Sequence, residues 1–222
     1  MSDYQYEARS VAGFVSQIVR YVASGHYFYV RVLVPEKKDP AIVDEKLLER
    51  YGVRKKRWQR KRRHLKENAG VHYLRCNRCA VLMLTKGSHE TFYQDHGEHL
   101  RDIRRQALKV FGYSIRYGFS EVKRDWKVSV RLDQETYRKV REHMLTIAVW
   151  DSYRDSVRLA REFSRLPYQP YEPVFKQLLS ILRSVNRQRR RRGFDPLAMN
   201  CLRTKLSLGR VFVDSESKSK AA

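Results

Sequence analysis

Val71-His72-Tyr73-Leu74 and Ala80-Val81-Leu82-Met83-Leu84 flank the short connection Cys76-Asn77-Arg78-Cys79. Two apolar runs of strand length joined by two to four residues read as a β-hairpin. This hairpin decides the fold class, because its neighbours on both sides complete a known order of elements. Upstream, His26-Tyr27-Phe28-Tyr29-Val30-Arg31-Val32-Leu33-Val34 is rich in aromatic and β-branched residues, and Pro35 closes it, so it reads as a strand. Between that strand and the hairpin, Asp39-Pro40 supplies an N-cap and a first-turn proline. Ile42, Val43, Leu47 and Tyr51 supply an apolar face, and Gly52 a stop, which together predict a helix. A second helix is expected over 54–66. Downstream, a helix is expected within 90–106 and a strand over Leu108–Tyr117, with Phe111, Tyr113, Ile115 and Tyr117 on one face. Strand, helix pair, strand, strand, helix, strand is the split βαβ pattern of ferredoxin-like folds. The prediction is an α+β chain: a ferredoxin-like antiparallel sheet with an inserted basic helix and a C-terminal helical region.

The flanking segments extend this frame. Ala8, Val11, Val15, Ile18 and Val22 fall at spacings of three and four, one stripe of a helix over 6–22. Trp126–Leu132 alternates as a strand. Asp133 then caps a helix over 134–149, and further helices are expected over 152–165 and 172–192, the last with Pro173 in its first turn and Gly193 past its end. The expected organisation is an N-terminal helix in 1–25, a ferredoxin-like nucleic-acid-binding domain over 26–132, a helical region over 133–214, and a small, polar, disordered tail over 215–222. At 222 residues the chain can bury a core without disulfides or metals, and 42% apolar residues set it apart from a disordered basic tail. No apolar run reaches about 18 residues, and Met1–Ser10 is polar, so neither a membrane span nor a signal peptide is expected. The odd cysteine count (Cys76, Cys79, Cys201) suggests a reducing compartment. Taken together, these features predict an intracellular protein, cytoplasmic or nucleoid-associated.

Charge identifies the partner. The net charge is +23. Nine of the thirteen residues from 54 to 66 are basic and none is acidic: Arg54, Lys55, Lys56, Arg57, Arg60, Lys61, Arg62, Arg63 and Lys66. Solvated helices ordinarily interleave acids at i,i+4, and this run has none, so a polyanion is the expected partner. Trp58 and Leu65, seven apart, would dock the helix on the body. A second cluster closes the 172–192 helix: Arg183, Arg187, Arg189, Arg190, Arg191 and Arg192, with Arg203 and Lys205 as an extension. The helix macrodipole favours two or three cations at a C-terminus, and six exceed that need. No lipidation signal or apolar segment supports a membrane surface as the polyanion. The expectation is nucleic acid, RNA or a structured ribonucleoprotein ahead of DNA, bound as part of a larger nucleoprotein complex.

Three further patterns bear on chemistry. Tyr27, Tyr29, Tyr113 and Tyr117 are candidates for stacking unpaired bases, the alternative being that these rings fill the core. Cys76, Cys79, His96 and His99 are candidate zinc ligands, but the two-residue gap between the histidines suits no finger, and no cofactor is expected. His89, His96 and His99, with a nearby tyrosine or glutamate, are the candidates for a nuclease or strand-transfer reaction, as in a mobile element or defence system. They do not form the paired strand histidines of the HUH endonucleases, and the acids are sparse for a two-metal site. The sequence therefore favours non-catalytic binding.

Overall fold

The computed structural model describes residues 4–54, 68–121, 124–166, 171–202 and 208–213. Lys55 to Lys66, Arg203, Lys205 and the expected tail over 215–222 lie outside the described residues. The elements, in chain order, are α1 (Val11–Ala23), β1 (Phe28–Leu33), α2 (Pro40–Arg50), β2 (Val71–Cys76), β3 (Cys79–Leu84), α3 (Glu90–His96), β4 (Arg101–Asp102), β5 (Leu108–Val110), β6 (Tyr113–Ser120), β7 (Asp125–Leu132), α4 (Gln134–Ile147), α5 (Ser156–Arg165) and α6 (Glu172–Arg191). This is a mixed α+β architecture with two antiparallel sheets. Among the described residues no helix is long and apolar enough to cross a membrane.

The hairpin forms as predicted. β2 and β3 pair from Val71↔Leu84 to Cys76↔Cys79, leaving Asn77 and Arg78 in the loop. Asn77 takes the left-handed conformation (φ 52°) that asparagine tolerates better than most residues. β1 pairs antiparallel with β3 and with β4, so the sheet runs β2-β3-β1-β4. The expected caps are present as well: Asp39 accepts from Ala41 N–H and Asp133 from Thr136 N–H.

Three boundaries differ from expectation, each for a visible reason. The first helix starts at Val11 rather than residue 6, because Tyr6–Ala8 is committed to the edge of β2. Arg75 N–H donates to the Tyr6 carbonyl (2.8 Å), and Ala8 N–H donates to the Arg75 carbonyl (2.7 Å). The helix within 90–106 is only seven residues long, and Arg101–Asp102 then pairs with Tyr29 and Phe28 as β4. The expected strand Leu108–Tyr117 is broken by a two-residue turn at Phe111-Gly112, both with positive φ (48° and 77°). That segment therefore belongs to the second sheet, ordered β5-β6-β7, and not to the sheet built on the hairpin.

The chain divides into two compact units. One comprises Met1–Leu108, Arg116–Val128 and Leu208–Ala222, the other Lys109–Ile115 and Ser129–Ser207. In the first, the strand period of two sorts the sheet faces. Val30, Val71, Tyr73, Ala80, Leu82 and Leu84 form one core with Leu48 and Tyr51 near the end of α2 and Phe92 of α3. On the opposite face His72 stacks flat on Tyr21 of α1 (4.3 Å between rings), and Phe14, Val15, Ile18 and Val22 are buried there. Both faces are thus covered. In the second unit α4 packs on α6, burying Met144 and Ile147 and the stripe Val174, Leu178, Ile181, Leu182, Val185. The Gln177 amide joins α6 to the end of β7 by accepting from Leu132 N–H (2.8 Å) and donating to Leu132 O (3.1 Å).

Candidate nucleic-acid interface

The second unit carries the best-defined basic surface. Arg183, Arg187, Arg190, Arg191 and Arg192 are exposed, and the first three recur at spacings of four and three on the outer face of α6. None of these five forms an ion pair among the described residues, whereas Lys176, earlier on the same helix, pairs with Glu172. Uncompensated guanidinium groups in one row present a fixed array of forked donors suited to phosphate.

Arg189, expected in that array, is a different residue. It is 0% exposed and donates to four backbone carbonyls: Asp195 (2.6 Å), Tyr153 (2.7 Å), Arg154 (2.8 Å) and Ala148 (3.2 Å). Its guanidinium also lies over the Phe194 ring (5.4 Å). Arg189 is an internal anchor, removed from the nucleic-acid contacts by geometry: it is buried, and four of its five N–H donors are committed to backbone carbonyls. By bonding to Tyr153 and Arg154 it brings the end of α6 against the approach to α5. There Arg154, Arg158, Arg161 and Arg165 form a second exposed stripe that the sequence reading missed. Its spacing of four, three and four was the signal. Three members are partly engaged, Arg165 with Glu162, Arg158 with the Ser152 carbonyl and Arg154 over Phe194.

In the first unit, only Arg54 of the basic run is among the described residues, exposed and paired with Glu45. The aromatic candidates separate by burial. Tyr29 is buried with its hydroxyl donating to Gln106 O and Ala107 O, and Tyr113 is buried, so these two rings are core and not stacking surfaces. Tyr27 and Tyr117 stack on one another (4.8 Å, 20°), and Arg104, held by Asp102, lies over Tyr27 at 4.9 Å. Trp126 and Phe119 continue the series. Trp126 lies 5.5 Å from Tyr117, and Phe119 lies 6.1 Å from Trp126.

Of the three candidate histidines, His89 and His96 make contacts that hold the fold. His89 caps α3, its Nδ1 accepting from Phe92 N–H, and its Nε2 lies 3.3 Å from Tyr51 O. The Tyr51 hydroxyl lies 2.9 Å from both Asp95 Oδ2 and His96 Nε2, while Arg50 grips the Asp95 carboxylate with two bonds. With the phenol donating to Asp95, it accepts from a protonated His96 Nε2. Burial, then the Asp95 hydrogen bond, pushes Tyr51 up to about 12. The Arg50 hydrogen bond holds Asp95 down at about 2. His99 is exposed.

Burial holds the His96 imidazole below its ordinary value, against the opposing pull of Asp95. The unfolded chain therefore binds its proton near pH 6.5 and the folded chain only at lower pH. Stability from this group is complete above about pH 6.5 and is lost as the pH falls below it. The urea midpoint should drop between pH 7.5 and 5.5, and His96→Gln should lessen that drop. An equal drop in native and variant protein would refute the assignment.

Cys76 and Cys79 close the hairpin facing one another, with burial pushing both thiols up. The histidines follow the other end of β3, a strand length of roughly 20 Å away. Among the described residues no three His, Cys, Asp or Glu side chains gather as metal ligands, and the zinc set suggested by the sequence does not assemble. Comparison with protein-family models and with curated proteins finds no match.

Proposed function

We propose that this chain binds nucleic acid through its sugar–phosphate backbone, without catalysing a reaction on it, as a subunit of a larger nucleoprotein complex. The observation that carries the reading is the row Arg183, Arg187, Arg190 and Arg191, exposed and without ion pairs among the described residues. A net charge of +23 draws any polyanion to such a surface. The run from Arg54 to Lys66 supplies a second positive segment, and each holds the backbone. Arginine outnumbers lysine in the chain, which suits bidentate phosphate contacts and stacking on bases. This favours RNA or a structured ribonucleoprotein over DNA. The sheet order β2-β3-β1-β4, antiparallel throughout, with α2 and α3 sharing one core, supports reading the first unit as ferredoxin-like. Helix α1 on the opposite face is then an addition, and it covers the surface on which RNA-recognition sheets stack bases.

The test is the salt dependence of binding to a labelled oligonucleotide by fluorescence anisotropy. Each phosphate contact contributes about 0.9 to the slope of log K against log salt on duplex DNA and about 0.7 on single strands. Arg183→Gln, Arg187→Gln, Arg190→Gln and Arg191→Gln combined should flatten the slope by about three units and weaken binding at least about tenfold at 0.15 M salt. An unchanged slope would sink the reading for α6. The same outcome after neutralising Arg60, Lys61, Arg62 and Arg63 would sink it for the 54–66 run.

A further inference from the structure

The ribbon of β6 and β7 has one apolar face along its whole length. Tyr113, Ile115, Tyr117 and Phe119 alternate on β6, and Trp126, Val128, Val130 and Leu132 on β7. At one end the rings and aliphatic chains are buried. At the other, Phe119 is 55% and Trp126 50% exposed, side by side. Large exposed aromatics in contact with one another are unusual on a surface with nothing to bind. Here they do not stand alone: the series Phe119, Trp126, Tyr117, Tyr27 is continuous ring to ring, and Arg104 closes its far end.

Charge around this series is basic. Arg104 lies over Tyr27, Arg105 beside it and Arg124 at the turn are exposed, and Arg116 and Lys127, one residue off the ring positions, add charge on the opposite face of the ribbon. Against them stand Asp102, already engaged with Arg104, and the exposed Asp125 and Glu121. Hydrophobic rings rimmed by guanidinium groups do not suit an apolar protein surface. They suit a ligand that alternates flat, uncharged π-faces with anionic links.

We propose that the exposed rings of Trp126 and Phe119, backed by Tyr117 and Tyr27, stack unpaired bases of a single-stranded nucleic acid whose phosphates the neighbouring arginines hold. This rests on the nucleic-acid reading above and names the form of the ligand. In a duplex the base faces are occupied by their neighbours, so the site discriminates by strandedness and not by sequence. RNA and DNA single strands both present the chemistry, and the probe set distinguishes them.

The experiment uses the full chain and three fluorescein-labelled 20-mers of one mixed sequence: single-stranded RNA, single-stranded DNA and the DNA duplex. Trp126→Ala and Phe119→Ala should each weaken single-strand binding roughly 5- to 100-fold, the usual range for one stacked base. The salt slope and the duplex affinity should stay unchanged. Trp126→Phe, which keeps a ring, should recover most of the loss. In a Trp58→Phe, Trp150→Phe background, single strands should quench Trp126 emission and the duplex should not. Equal weakening of single-strand and duplex binding would overturn the proposal, as would no weakening of either, while leaving the backbone-binding reading intact if the α6 variants still flatten the slope. Failure of the native chain to bind any of the three probes would overturn both.

Discussion

Asp44→Ala destabilises the sheet unit by about 3 kcal/mol or more, the cost expected when one member of a buried charge pair is removed. Asp44 sits on α2, 0% exposed, facing β2. Its carboxylate accepts from the Tyr73 hydroxyl (2.6 Å) and from Arg75 Nε (2.9 Å). Arg75 also bonds to Glu7 (2.9 Å) and to the Asn77 carbonyl (2.8 Å), so one guanidinium ties α2, the N-terminal segment and the hairpin turn together. Burial pushes the Asp44 carboxyl up, and the Tyr73 hydroxyl and then Arg75 pull it back only in part. Taking both charges out of water offsets much of their attraction, so the pair contributes little net stability. What it contributes is register, because Tyr73 and Arg75 face α2 only if β2 is not slipped by one residue. Asp44→Ala leaves a guanidinium and a phenol buried without their shared acceptor. Asp44→Leu with Arg75→Met and Tyr73→Phe removes the three buried polar side chains, leaves the partly exposed Glu7 to water, and should recover most of the loss. Urea unfolding followed by far-UV circular dichroism measures both. If the triple variant is as unstable as Asp44→Ala, the pair is a genuine source of stability and this account of it is wrong.

The hairpin, the caps at Asp39 and Asp133 and the buried stripe of α6 were legible because each rests on local chemistry: a turn length, a side-chain acceptor, a period. The misreadings arose where tertiary pairing overrode a local pattern. Ala8 matches the apolar phase of α1, but its N–H is taken by Arg75 O. β4 is two residues long and carries no pattern at all. Phe111 reads as a strand residue, but it occupies a left-handed turn that its neighbour Gly112 makes possible. A Cβ on Gly112 would lie 2.8 Å from Thr136 Oγ1. Among the site residues, Trp126 falls in an expected strand and Phe119 just past the end of another, and nothing in the sequence puts them side by side, since cross-strand register is not local. Arg189 is the opposite case. It continues the series Val174, Leu178, Ile181, Leu182, Val185 at the next turn, so its phase marked it as buried, and the arginines around it hid that signal.

Arg189→Leu is expected to destabilise the helical unit by about 3 kcal/mol, because one buried and three partly buried carbonyls lose a charged donor at once and an unsatisfied buried group costs about 1–3 kcal/mol. Leucine fills much of the volume but bonds to none of them. Arg189→Lys recovers only part of the loss, since one ammonium cannot span carbonyls contributed by Ala148, Tyr153, Arg154 and Asp195 as a planar fork does. The neighbouring substitution is the control. Arg190 is exposed, and Arg190→Leu should leave stability within about 0.5 kcal/mol while flattening the salt slope of binding by about one unit. Trp150, whose ring lies 6.3 Å from that of Tyr153, reports on the Arg189 site directly. Its fluorescence in a Trp58→Phe, Trp126→Phe background should follow urea unfolding of this unit. Two adjacent arginines of one helix would then separate cleanly, one changing stability without the slope and the other the slope without stability. Should Arg189→Leu leave the urea midpoint where it is and flatten the slope as Arg190→Leu does, Arg189 belongs with the surface row after all. The anchoring of α6 must then be sought in Gln177 instead, whose amide bonds to Leu132.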